Sequence, residues 1–120
     1  MAILSTSTLT GDNVVNLNGE NLGTIKDLMI DTENGRVVYA VLSFGGFLGL
    51  GDKLFAIPLE ALQLDTANKR FMLDVDKARL EEAPGFDEDN WPKTADRSFI
   101  DDVYSHYGLP AYEHGRRVGV

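Results

Sequence analysis

The chain contains no cysteine, which removes disulfides, thiolate nucleophiles and thiolate metal sites together and leaves burial to hold the fold. Basic residues are also in short supply. Eleven Lys and Arg stand against 19 Asp and Glu, a formal charge of -8. A field of that sign repels phosphate backbones and anionic lipid surfaces, so nucleic acid is a disfavoured partner. The one adjacent basic pair, Arg116-Arg117, reads as solvated terminal charge. Long apolar runs are missing as well: nothing approaches the ~20 residues that a membrane-spanning helix requires. The opening Met1-Ala2-Ile3-Leu4-Ser5 has neither a basic start nor a long apolar stretch, so no secretory signal is expected and the expected location is cytoplasmic.

What is present suits one compact domain. The 120 residues are 43% hydrophobic and 25% charged, with glycine conspicuous at 12 residues. The first part of the chain reads as short strands separated by turn signals. Residues 14–17 form a strand followed by Asn18-Gly19, a two-residue hairpin signal. Residues 22–31 form a second strand whose alternation breaks at Ile25, Lys26 and Asp27 before three apolar residues, which predicts a bulge or a change of buried face. After a turn tipped by Asn34-Gly35, residues 37–44 give the strongest strand. Both of its alternating sets, Val37/Tyr39/Val41 and Val38/Ala40/Leu42/Phe44, are apolar, so it is expected to be central and covered on both sides. Residues 53–57 give a further strand ended by Pro58. A last hairpin joins Gln63-Leu64 to Phe71-Met72-Leu73.

Helix content is expected later. Residues 77–83 read as a short helix stopped by Pro84-Gly85, and residues 86–93 as an acidic linker in which Trp91 pins the segment to the body. Residues 98–107 read as a final helix opened by Ser98 in a capping-box-like pattern and stopped by Gly108-Leu109-Pro110. Ile100, Val103, Tyr104 and Tyr107 follow the spacing of one buried stripe. So short a helix needs a surface to lie on, either its own sheet or a partner's.

The order of Leu9-x-Gly11-x-x-Val14-Val15, Gly19-Glu20-x-Leu22-Gly23-x-Ile25-x-Asp27, Ile30-Asp31 with Gly35-Arg36-Val37, and Gly45-Gly46-Phe47-Leu48-Gly49 before Ile57-Pro58 resembles the PRC-barrel domain family. That module occurs in the cytoplasmic part of the photosynthetic reaction centre H subunit and, in related form, in a ribosome maturation factor. The resemblance implies a mainly β fold, a small closed barrel of about six strands over residues 1–76. Residues 77–120 then form the linker and a C-terminal helical tail that packs on its own barrel or a partner's. It also implies an interaction or assembly module with no common catalytic constellation. The chain shows neither the membrane helix of the one relative nor the extra domain of the other, so neither specific role transfers.

The motifs with chemical potential resolve toward structure. Gly45-Gly46-Phe47-Leu48-Gly49-Leu50-Gly51-Asp52 has the glycine interval of a phosphate loop. However, Asp52 stands where the phosphate-binding Lys belongs, Lys53 where Ser or Thr is needed, and a strand follows in place of a helix. The apolar Phe47, Leu48 and Leu50 either plug the barrel end or form a contact patch. His106 and His114 lack metal-ligand spacing. Asp27, Asp31, Asp74 and Asp76 lack an assignable acid/base partner, and Asp31-x-Glu33-x-Gly35 lacks the remaining ligands of a calcium loop.

No catalytic residue, cofactor or metal is therefore expected. The expected function is a non-catalytic protein-protein interaction or assembly module, self-associating as a dimer or holding another protein. Its candidate surface comprises Phe47, Leu48, Leu50, Ile100, Val103, Tyr104 and Tyr107. An RNA- or ribosome-assembly-associated factor and a small-ligand sensor are the alternatives.

Overall fold

A computed structural model describes residues 3–44, 53–87, 91–92 and 96–113. Seven strands form one sheet: β1 (Asn13–Val15), β2 (Asn21–Asp31), β3 (Arg36–Phe44), β4 (Lys53–Ile57), β5 (Leu62–Asp65), β6 (Arg70–Leu73) and β7 (Gly85–Asp87). Helix α1 (Thr6–Leu9) precedes them, a 3-10 turn (Leu59–Ala61) leads into β5, and α2 (Lys77–Glu81) and α3 (Arg97–His106) flank β7. The strand order is β5-β6-β1-β2-β3-β4-β7, with β1 and β6 parallel and the other neighbours antiparallel. No helix among the described residues is long and apolar enough to cross a membrane.

The mainly β architecture and the C-terminal helix are as the sequence implies, but the expected closed barrel of six strands is corrected. Closure would pair β4 with β5. The free edge of β4 is instead taken by β7, with Lys53 opposite Asp87 and Phe55 opposite Gly85, so the described sheet has seven strands and is not closed by hydrogen bonds. The seventh strand lies in the stretch expected to be linker. Its three residues are too few for strand periodicity to register.

The sheet wraps around its own side chains. Leu22, Ile25, Leu42, Phe55, Ile57 and Leu73 fill the interior and none is more than 1% exposed. Leu80 of α2 and Ala83 just after it join the same cluster, so the short helix closes over the interior. Asp76 caps that helix, its carboxylate accepting from the Arg79 N–H at 2.8 Å.

The expected irregularity in β2 is a bulge between Ile25 and Asp27. With Lys26 as the extra residue, Ile25 and Leu28 both face the interior although they are three apart. A second shift, between Met29 and Ile30, makes Val38 the extra residue on β3. Val37 consequently packs with the interior cluster, while Val38 and Tyr39 both join the outer one.

Three hairpin turns set the registers. The first is a three-residue loop in place of the expected two. The Gly19 N–H bonds the Asn16 carbonyl at 3.0 Å, the Asn16 N–H bonds the Glu20 carbonyl at 3.0 Å, and Gly19 supplies the positive φ of 81°. Asn16 is buried and carries the loop. Its side-chain oxygen accepts from the N–H groups of Asn18 and Glu20, and its amide donates to the Glu20 carboxylate.

The other two turns share an Asp-Thr-x-Asn-x-Arg pattern, Asp31-Thr32-Glu33-Asn34-Gly35-Arg36 and Asp65-Thr66-Ala67-Asn68-Lys69-Arg70. In each, the Asp carboxylate accepts from the backbone and side-chain N–H groups of the Asn three residues on. The fifth residue takes positive φ, 68° at Gly35 and 51° at Lys69. The same local chemistry is thus used twice, with different outcomes for the Arg that follows.

Candidate interaction surface

The outer faces of β3 and β4 present Val38, Tyr39, Val41, Leu54 and Ala56, all buried. The layer that covers them comes from the same chain. Phe86 of β7, helix α3 and Tyr112 close over this face. The two-sided cover expected for residues 37–44 is therefore real, and its outer half comes from Phe86, α3 and Tyr112.

Helix α3 is defined at both ends. Its N-cap is Asp96, whose carboxylate accepts from the Phe99 N–H at 3.0 Å, rather than the expected Ser98, which lies inside the first turn. At the other end Gly108 has φ 68°, and the N–H groups of Gly108 and Leu109 bond the carbonyls of Ser105 and Tyr104 at 3.0 Å each.

Of the expected stripe, Val103 is 0% and Tyr104 2% exposed, while Ile100 and Tyr107 are half-buried. The Tyr104 hydroxyl donates to the Val38 carbonyl at 2.6 Å, in a buried bond made at the residue that the β3 bulge adds. Burial pushes the Tyr104 hydroxyl well above the usual phenol range, so it stays protonated and donating. Val103 and Tyr104 thus cover the molecule's own sheet, one of the two surfaces expected for this helix. The reason is that β3 offers them an apolar face two residues wide.

A clasp that the sequence reading missed fixes the end of this segment. The Tyr112 hydroxyl donates to the Asp31 carboxylate at 2.7 Å, and the Asn34 side-chain amide donates to the Glu113 carbonyl at 3.1 Å. Arg36 lies over the Tyr112 ring at 5.1 Å. The bond from Tyr112 is the main cause holding the Asp31 carboxyl below its ordinary range, opposed by burial and helped by the N–H donors of the turn. In the twin turn the equivalent Arg70 stays on its own Asp65, at 3.2 Å. The available signal was therefore the repeated turn sequence together with an aromatic residue far along the chain.

Between the β2–β3 turn and the start of α3 lies an open cleft of about 450 Å³. Its apolar walls come from Met29, Tyr39, Phe99 and Ile100, with the Tyr39 and Phe99 rings edge to face at 5.9 Å. Asp31, Glu33 and Asp96 supply negative charge to its lining and Arg97 positive charge. Ile30 also lines it and is 53% exposed. Trp91 packs on Phe86 at 5.0 Å, which anchors the segment as expected.

A shallower depression of about 310 Å³ lies where α3 ends beside α2. There Arg79 donates to the His106 carbonyl at 2.7 Å, and His106 packs against the Tyr107 ring. Burial, then the Arg79 charge, lowers the His106 pKa, and burial raises that of Tyr107.

Phe47, Leu48 and Leu50, with the rest of the glycine-rich loop, lie outside the described residues, as do His114 and Arg116-Arg117. Three of the four acids Asp27, Asp31, Asp74 and Asp76 have local uses: the Asp27 carboxylate accepts from the Leu28 N–H, Asp31 builds its turn and Asp76 caps α2. Among the described residues no group of three or more His, Asp or Glu is placed to hold a metal ion.

The profile of the PRC-barrel domain matches residues 1–80. A search of curated proteins found no significant match. Among solved structures, one named as a 16S ribosomal RNA processing protein, RimM, from Pseudomonas aeruginosa is 22% identical, with a TM-score of 0.43. The likeness covers 62% of this chain and 45% of that one, so the chain spans less than half of that protein's length. The outer cover formed by Phe86, α3 and Tyr112 falls beyond the matched profile.

Proposed function

The chain belongs to the PRC-barrel domain family, and on that premise we propose that it is a non-catalytic assembly module that holds a protein partner on its outer surface and works in the cytoplasm. One observation carries this reading. The space inside the sheet is filled by the molecule's own aliphatic and aromatic side chains, with Leu22, Leu42, Phe55 and Ile57 at most 1% exposed. A substrate or cofactor needs a concave site with convergent polar groups, and the interior offers it no room. The small-ligand alternative thereby loses the interior and is left with the open cleft beside the start of α3. An RNA-associated role has the formal charge of -8 against it.

A second copy is one candidate partner. Because Val103 and Tyr104 are spent on the molecule's own sheet, the residues Phe47, Leu48 and Leu50 are the remaining apolar cluster of the expected surface, beside the half-buried Ile100 and Tyr107. Crosslinking of the tagged full chain in its native cells, followed by mass spectrometry of the linked peptides, tests both forms. Links from surface positions to one other protein, or to a second copy, are the expected result. A chain that crosslinks to nothing while turning over or retaining a small molecule contradicts the reading. Sedimentation then separates the forms: a dimer lost in Leu48→Asp and Leu50→Asp supports the loop contact, and a monomer at every concentration excludes it.

A further inference from the structure

We propose that the cleft between the β2–β3 turn and the start of α3 is a docking site for a segment of a partner protein that presents a Lys or Arg side chain next to an apolar one. The inference rests on the reading of the domain as a protein-binding module and adds the chemistry of what it binds.

The first observation is Tyr39. The residue is only 6% exposed and lines the cleft, and its hydroxyl, for which no bond to a described residue is seen, is not among the buried groups shut away from solvent. Phenylalanine would serve the packing against Phe99 equally well, and a hydroxyl on a cleft wall can exchange water for an entering partner. The hydroxyl is therefore available to a group that enters the cleft. Burial and the nearby Asp96 charge both favour its neutral form, so it stays able to donate and accept.

The second observation is apolar surface left open at the same place. Ile30 is 53% exposed although β2 and β3 bury most of their large aliphatic residues, and Met29, Phe99 and Ile100 beside it are only partly covered. An aliphatic side chain of a partner would remove this surface from water.

The third is charge. Asp31, Glu33 and Asp96 outnumber the single Arg97 in the lining, and the whole chain carries -8. Asp31 and Asp96 already accept hydrogen bonds from Tyr112 and the Phe99 N–H, but those donors are neutral and leave the negative charge in place. A cation is attracted to this rim and can lie against the faces of Tyr39 and Phe99. An anionic strand or lipid headgroup is repelled. At about 450 Å³ the cleft has room for one or two side chains rather than for a folded domain.

The test is an NMR titration of the full chain, read at the methyl groups of Met29, Ile30 and Ile100 and at the Tyr39 ring. The probe is the capped peptide acetyl-Leu-Arg-Leu-Lys-amide, and the control replaces its Arg and Lys with Glu. Saturable shifts at the cleft with the basic peptide, weakened by salt and absent with the acidic one, are expected. Tyr39→Phe is expected to keep or raise Tm while weakening the peptide about threefold to tenfold, the range for one neutral hydrogen bond. Glu33→Lys should weaken it further without loss of fold. Three results would each overturn the proposal: no shift at the cleft, an equal response to the acidic peptide, or a lowered Tm in Tyr39→Phe. If native crosslinking finds a partner that touches a different face, this proposal fails and the assembly reading survives. If the peptide binds as described but crosslinking finds no protein, the cleft stands and the assembly reading falls.

Discussion

Replacing Gly23 with alanine is expected to remove the folded state, or to destabilise it by ~3 kcal/mol or more, as read by urea or thermal unfolding. Gly23 sits in β2 with φ 136°, a conformation that side chains rarely adopt. A Cβ there would overlap the carbonyl oxygen of Ser43 on β3. Strain alone would cost about 1–3 kcal/mol, and the molecule could absorb it. The overlap is with backbone, so relief requires β2 and β3 to part at the central pair of the sheet. Gly19→Ala is the matching control. Its φ of 81° is also positive, but a Cβ there meets nothing within 4 Å, so its loss should be confined to the strain term.

Tyr104→Ala should cost ~3–5 kcal/mol, the range for deleting a buried aromatic side chain, whereas Tyr104→Phe should cost about 1 kcal/mol for the lost bond to Val38. The difference between the two separates packing from hydrogen bonding. The ring is 2% exposed, and it packs near Tyr112 at 5.7 Å and onto the outer face of β3 and β4. A helix of ten residues has little stability of its own, so without this ring α3 loses its main hold on the sheet. Amide exchange in α3 should then rise faster in Tyr104→Ala than exchange in β1 and β6, which lie far from it in the strand order. Equal protection of α3 in both variants would argue against that anchoring.

Much of this fold could be read from residue order because its signals are local. The doubly apolar residues 37–44 announced a central strand with cover on each side, and the broken alternation around Lys26 announced the bulge that places Ile25 and Leu28 together. The stripe through Ile100, Val103 and Tyr104 announced a docked helix. What escaped reading depends on distant pairs. β7 has three residues and is defined by its partner β4, so no period within it could distinguish strand from linker. The clasp joins Asp31 to Tyr112, and nothing in the spacing of either residue names the other. The cap at Asp96 was missed because Ser98 offers an equally good local signal two residues on, and only the docked position of the helix decides between them. The cleft was likewise unreadable: Tyr39 looks like any core aromatic until its hydroxyl is seen to lack a partner among the described residues.

These pieces tie α2, β7, α3 and Tyr112 into the two packed clusters of the sheet. Phe86, Val103, Tyr104 and Tyr112 are each 8% exposed or less, and burying side chains of this size contributes roughly 1.5–3 kcal/mol apiece. Their sum is comparable with the whole net stability of a typical domain, about 5–15 kcal/mol. Thermal unfolding and sedimentation of the full chain beside a version ending at Pro84 test this most directly. The full chain should unfold in one cooperative transition, and the shortened one should lose that transition or associate through the bared face of Tyr39, Val41 and Leu54. A shortened chain that stays monomeric and unfolds at the same temperature would contradict the account.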